Sequence, residues 1–189
     1  MKAILVLLNL LCTFASVTAL ATQSNSSFTG TGEIFHAYGG ETLAKVPLEN
    51  GFTDNVRISE GSGISIGIRH WLNTHWSIKY TAGYRYKSTN SQLNNCATNV
   101  RLTSYPITFM PSFHWQQQSL GIGATYFIDT TLEFSGSMPE VSFDDSVGIT
   151  FEYRYQWIGI SYTVIDYKLP HSKDTLKGDH FSIKFMEEF

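Results

Sequence analysis

The chain has 189 residues, a formal net charge of −3 and two cysteines. That length suits one domain, and the mildly acidic balance gives no electrostatic reason to expect nucleic acid as a partner. Of the two thiols, Cys12 falls in an apolar leader, so Cys96 is left alone and no internal disulfide is expected, whatever the compartment.

The leader comes first. Met1-Lys2 is a short basic start, residues 3–17 are almost wholly apolar, and Ala19-Leu20-Ala21 has the small-x-small pattern that signal peptidase accepts. Residues 1–21 therefore read as a secretory signal cleaved near Ala21. Residues 22–189 read as one mature domain. Losing Lys2 leaves twelve basic against sixteen acidic residues. No later apolar run is long enough for a membrane helix, a test that membrane barrels evade because their strands alternate.

Period-two alternation then runs along the chain. The first strand, about 28–39, sets Glu33, Phe35 and Ala37 against Ile34, His36 and Tyr38, so its apolar face is ambiguous. Ile64, Ile66, Ile68 and His70 alternate with Ser65, Gly67 and Arg69. Trp76, Ile78, Tyr80, Ala82, Tyr84 and Tyr86 alternate with Ser77, Lys79, Thr81, Gly83 and Arg85. The fourth strand, about 101–115, shows Tyr105, Ile107, Phe109 and Phe113 on one face. Its Pro106 and Pro111 cannot donate to a ladder and predict bends or bulges. Leu120 through Phe134, Val147 through Trp157, Ile158 through Val164 and Phe181 through Phe185 complete about eight strands.

Three features separate a barrel in lipid from a sandwich in water. Short connections (72–75, 114–118 and the near-contact at Gln156) alternate with long ones at 41–60, 88–99, 135–145 and 169–179, as in bacterial barrels. All four tryptophans, Trp71, Trp76, Trp115 and Trp157, flank the short turns, while Tyr84, Tyr86, Tyr105, Phe134 and Tyr167 lie towards the long loops, predicting two aromatic girdles. The polar face combines Gly, Ser and Thr with Arg69, Lys79, Arg85, Asp129, Glu133, Glu152, Arg154 and Lys184. Such residues suit a narrow lumen filled by a compensated charge network.

The signal, the Gly63-Ile64-Ser65-Ile66-Gly67-Ile68-Arg69 run, the Trp76-to-Tyr86 alternation and the final Phe189 resemble the small outer-membrane barrels typified by OmpX and the OmpA transmembrane domain. The resemblance implies an all-β, eight-stranded antiparallel up-and-down transmembrane barrel in the outer membrane of a Gram-negative cell. It also implies that the barrel assembly machinery reads the C-terminal strand. One position departs from the family pattern: Glu187 stands two before the end, where an apolar or aromatic residue is usual.

Chemistry is sparse. A lipid A deacylase would need a His-x-Ser-Asn signature on a lipid-facing surface. The nearest match is His180-Phe181-Ser182, with Ile183 in place of Asn and a face that continues into Lys184. His171, Asp174, Asp179 and His180 cluster without metal-site spacing, and there is no phosphate loop or nucleophile elbow. No catalytic, cofactor or metal residue is assigned. The long loops are the remaining functional surface. Loop 41–60 carries Leu43, Val46, Leu48 and Phe52, and Lys168, Lys173 and Lys177 could meet lipopolysaccharide phosphates. The expectation is a non-enzymatic barrel with a structural or surface-binding role, in contact with outer-membrane lipids and lipopolysaccharide, its extracellular ligand unknown. The alternatives are a lipid A-modifying barrel and an exported lipocalin-like barrel.

Overall fold

The computed structural model describes residues 27–47, 53–93, 96–134, 140–170 and 174–189. Eight antiparallel strands form the wall: β1 (Ser27–Gly39), β4 (Gly61–Trp71), β5 (Trp76–Leu93), β6 (Cys96–Trp115), β7 (Gln118–Phe134), β9 (Ser146–Tyr155), β10 (Ile158–Val164) and β13 (His180–Glu188). Each pairs with its sequence neighbour in the wall, and β1 pairs with β13 to close the ring. Closure leaves no open edge, the condition a sheet must meet to cross hydrocarbon.

Three tight turns lie at one end. Residues 72–75 turn on Asn73, whose Oδ1 accepts the backbone N–H groups of His75 and Trp76. The other two are two-residue turns opening on Gln116 and Gln156, both in the left-handed region. The opposite end carries the long connections, and their described residues are structured. β2 (Thr42–Pro47) and β3 (Thr53–Arg57) form a hairpin, β8 (Val141–Ser142) adds to β7, and β11 (Asp166–Lys168) pairs with β12 (Thr175–Lys177). The connection expected as a loop at 88–99 is instead a projecting extension of the β5–β6 hairpin, registered as far as Leu93 opposite Cys96.

The two faces of the wall are inverted relative to a water-soluble protein. Ile34, Ile64, Ile66, Ile122, Val147, Ile149, Ile160, Phe181 and Ile183 point outward, each more than half exposed. Arg69, Lys79, Arg85, Glu33 and Glu152 point inward and are almost fully covered. An apolar exterior around a polar interior is the solution for a barrel whose solvent is lipid, and this chain is an eight-stranded transmembrane barrel. The first strand is now unambiguous: Glu33 and Ala37 face the lumen, Ile34 and Tyr38 the lipid.

One expectation about faces fails. Alternation carried through β7 places Asp129 and Glu133 inside and Leu132 and Phe134 outside. A bulge reverses this. Asp129 and Thr130 together stand opposite Ser104, with Asp129 in the left-handed region at φ 51°. The extra residue flips every side chain beyond it. Asp129 is exposed and Leu132 is buried. Glu133 pairs with Arg101 at the surface, 3.5 Å away. Asp129 tolerates the turn because its N–H donates to Asp145 Oδ1 and its carboxylate accepts the Thr131 hydroxyl. The bulge lies close to Pro106, whereas the ladder holds its register past Pro111.

A cation placed on the outer wall should be costly. Ile122→Arg is expected to lose about 2–4 kcal/mol of stability, read by urea unfolding of vesicle-inserted protein; a loss below 1 kcal/mol would show that this face does not meet lipid.

Candidate functional site

The lumen is layered. At the short-turn mouth the Glu188 carboxylate lies 3.2 Å from Arg69 Nε and also pairs with Arg154. Arg69 donates to Ser77 Oγ (2.9 Å), which sits 2.7 Å from His114 Nε2. The Arg69 guanidinium also lies over the Trp71 ring. Trp71 therefore serves the mouth of the lumen, not the lipid girdle. Trp76 and Trp157 do face outward, and Trp157 stacks on Phe185.

The next layer is a four-membered ion cluster. Lys79 Nζ is 2.6 Å from both Glu33 and Glu152, and Lys184 Nζ is 2.6 Å from the other oxygen of Glu152. Ser65 donates to Glu33. Two cations and two carboxylates thus cancel inside the wall, which is the arrangement that makes buried charge tolerable. Above it, hydroxyls form a half-hoop across four strands: Thr108–Thr125 at 3.1 Å, Thr125–Thr150 at 2.8 Å and Thr150–Thr163 at 3.0 Å. The space bounded by these threonines, Arg85, His180 and Lys184 is about 40 Å³, enough for a few waters.

Arg85 tops the lumen. It is 2% exposed and forms no ion pair among the described residues. Its donors go to the carbonyls of Ile58 and Ser59, Ser104 Oγ and the Tyr167 hydroxyl, and its plane lies 4.9 Å from the Phe127 ring centre. Neutral acceptors and an aromatic face share one cation: two carbonyls from the segment between β3 and β4, one hydroxyl from β6, one from β11 and a ring from β7.

Over Arg85 sits an apolar cap. Val46, Val56, Ile58, Val100, Leu102, Phe127, Leu132, Phe143, Ile165 and Tyr167 form one buried cluster, with Leu43, Phe134 and Leu176 packed against it. Tyr167 and Phe134, expected in the lipid girdle, belong to this cap. Tyr84 and Tyr105 do face the lipid side, 5.5 Å apart. The hairpin β2–β3 is tied down at its rim: Asp54 accepts from Thr89 (2.6 Å) and pairs with Lys87 (3.3 Å).

The residues raised from the sequence as a deacylase pair are both inside. His180 is 4% and Ser182 6% exposed, and His180 donates Nδ1–H to the Gly178 carbonyl. They share a face, as the spacing required, but it is not the face that meets lipid. Asp179 Oδ1 accepts the Ile165 N–H. His171 and Lys173, like Leu48 and Phe52, lie outside the described residues. Among the described residues no three metal-ligand side chains converge. Lys168 and Lys177 are exposed on β11 and β12. Sequence reading missed the cap itself and the role of Arg85. The only signal was the run of apolar residues in loops that solubility does not need.

Replacing Lys79 by Met should leave Glu33 and Glu152 with Lys184 as their one remaining cation, 3.9 Å from Glu33 and 2.6 Å from Glu152. The expected cost is about 3–5 kcal/mol in urea unfolding; a change within error would mean the cluster does not support the wall. Asp54 gives a pH signature. The Thr89 hydroxyl bond, aided by Lys87 and opposed by partial burial, holds its carboxyl below the usual range. A depressed carboxylate stabilises above its unfolded value, near 3.9, and that contribution fades as pH falls through the lower folded value. Acid should therefore loosen β2–β3 in wild type, measured by amide exchange of residues 53–57, whereas Asp54→Asn should show the looser hairpin already at neutral pH.

No protein-family model matches the sequence, and no curated protein matches it. Among solved structures, the chain is similar to the attachment invasion locus protein Ail of Yersinia pestis, solved in complex with the heparin analogue sucrose octasulfate. Identity is 14%, with a TM-score of 0.48 over 88% of this chain and 100% of that one. A backbone structure of Ail in a phospholipid bilayer nanodisc gives 13% identity and a TM-score of 0.38 over 85% and 100%.

Proposed function

We propose that this chain is a non-enzymatic outer-membrane surface barrel that works by presenting its folded cap to the outside. On this reading residues 1–21 direct export and are removed near Ala21, and residues 22–189 are assembled through the C-terminal strand by the barrel assembly machinery. The observation that carries the proposal is the shared apolar cluster that joins three of the long connections to the loop ends of β6 and β7. Mobile loops would need no core of their own. A core fixes their outer faces relative to one another, as a recognition surface requires. Lys168 and Lys177, exposed on β11 and β12, are then the cations offered to lipopolysaccharide phosphates.

Three rival functions lose their support. A lipocalin-like carrier needs an apolar lumen, and this one is ionic. A diffusion pore needs an open lumen, and Arg69, Lys79 and Arg85 are 1–2% exposed. A deacylase needs its base and nucleophile at the lipid face, and His180 and Ser182 face inward.

The protein is expected to require detergent, to run differently on gels before and after boiling, and to leave the acyl pattern of lipid A unchanged when produced in cells. Full solubility without a mobility shift would overturn the membrane reading. An altered lipid A mass spectrum, restored to normal by His180→Ala, would overturn the non-enzymatic one.

A further inference from the structure

Glu187 is exposed on the outer face of β13, in register with Gly32 of β1. It makes no hydrogen bond or ion pair among the described residues. Between the level of Tyr84 and Tyr105 and the tight turns, it is the only carboxylate that the described strands turn outward. Its neighbours are the residues of an interfacial belt: Trp157 stacked on Phe185, and Phe189 beyond the strand end. A carboxylate facing lipid is tolerable at the interface and costly below it, which puts Glu187 at headgroup depth.

Beside it the wall is hollow. Gly32 supplies no side chain, and a Cβ there would meet only the Phe189 ring, at 3.7 Å. At Gly30, by contrast, the Phe189 ring already occupies the space. The result is a groove of about 420 Å³ with Ile34, Ile64 and Ile66 on one flank, Trp157 and Phe185 on the other, and Glu187 at its rim.

We infer that this groove seats one phospholipid of the leaflet at the short-turn end, and that the lipid is phosphatidylethanolamine. The inference rests on the outer-membrane reading above. A primary ammonium has three N–H donors and a full positive charge to offer a carboxylate that has no partner. A choline headgroup carries the charge without the donors, and a glycerol headgroup carries no cation. An acyl chain lies along the isoleucines and fills the space that Gly32 leaves, while Trp157 flanks the glycerol region. The anionic phosphate stays on the water side.

Native mass spectrometry of the detergent-solubilised full chain tests this, with phosphatidylethanolamine, phosphatidylcholine and phosphatidylglycerol of identical acyl chains supplied in equal amounts. Wild type is expected to retain the ethanolamine lipid about fivefold over the choline lipid, the scale of one interfacial ion pair. Glu187→Gln should abolish the preference while leaving the heat-dependent gel shift intact. Gly32→Ala, whose Cβ would meet only the Phe189 ring at 3.7 Å, should weaken retention of all three lipids. Equal retention by wild type, or an ethanolamine preference that survives Glu187→Gln, would overturn the proposal and leave the barrel reading standing. Loss of the gel shift in wild type would remove both.

Discussion

The structure depends on one constraint: in hydrocarbon, no backbone N–H or carbonyl can be left to water. The wall meets it by pairing β1 with β13 along nine registered positions, Thr31 opposite Glu188 through Gly39 opposite His180. Gly30 and Phe189 extend the seam by exchanging N–H to carbonyl bonds at 2.8 and 3.0 Å. Closing eight strands fixes a lumen only wide enough for side chains. The polar residues of every strand are thereby confined together, and their charges must cancel at short range. The cluster of Lys79, Glu33, Glu152 and Lys184 is that cancellation, while at the partly exposed mouth Arg69 and Arg154 share the single carboxylate of Glu188. Arg85 is the exception, and it is satisfied from above by the carbonyls of the cap.

This coupling makes the lumen and the cap one object. The guanidinium that terminates the ionic column is also the donor that holds Ile58, Ser59 and Tyr167 over the opening. Charge inside the wall and shape outside the membrane therefore depend on each other, although no residue of the cap faces lipid in the way the wall does. The outer surface divides the same way. Isoleucines fill the mid-wall, Tyr84 and Tyr105 mark the long-loop end, Trp76 and Trp157 mark the turns, and Glu187 stands at that second boundary.

Much of this was legible in the sequence because a strand has a period of two and a barrel has only two faces. Lys79, Arg85, Glu152 and Lys184 were placed inside by parity alone, and parity sufficed because β5, β9 and β13 run without a bulge among the lumen residues. Asp129 shows where parity stops. A single residue at positive φ reverses a face, and alternation carries no record of the sign of φ. Trp71 was misassigned for a different reason. Proximity to a turn says which end a side chain occupies, not whether it points in or out, and the Arg69 guanidinium beneath it decides the matter. The cap was illegible because its members come from three connections and from the loop ends of β6 and β7, each contributing too few residues to show a pattern of its own. His180 and Ser182 were correctly paired by spacing, and the face they share was settled by Lys184 two residues on.

The seam also bears on how such a chain reaches its final form. Its two strands are the first and last of the described wall, so the pairing that removes the last open edges joins the most distant partners in sequence. Every other wall pairing links sequence neighbours across a turn or a long connection. Loop-closure entropy makes the distant pairing the slow step. Until it forms, β1 and β13 each expose a row of unpaired donors and acceptors, the template on which β-rich intermediates aggregate. The glycines of β1 leave the Phe189 ring free to settle over Gly30, a latch that engages only after both edges have met.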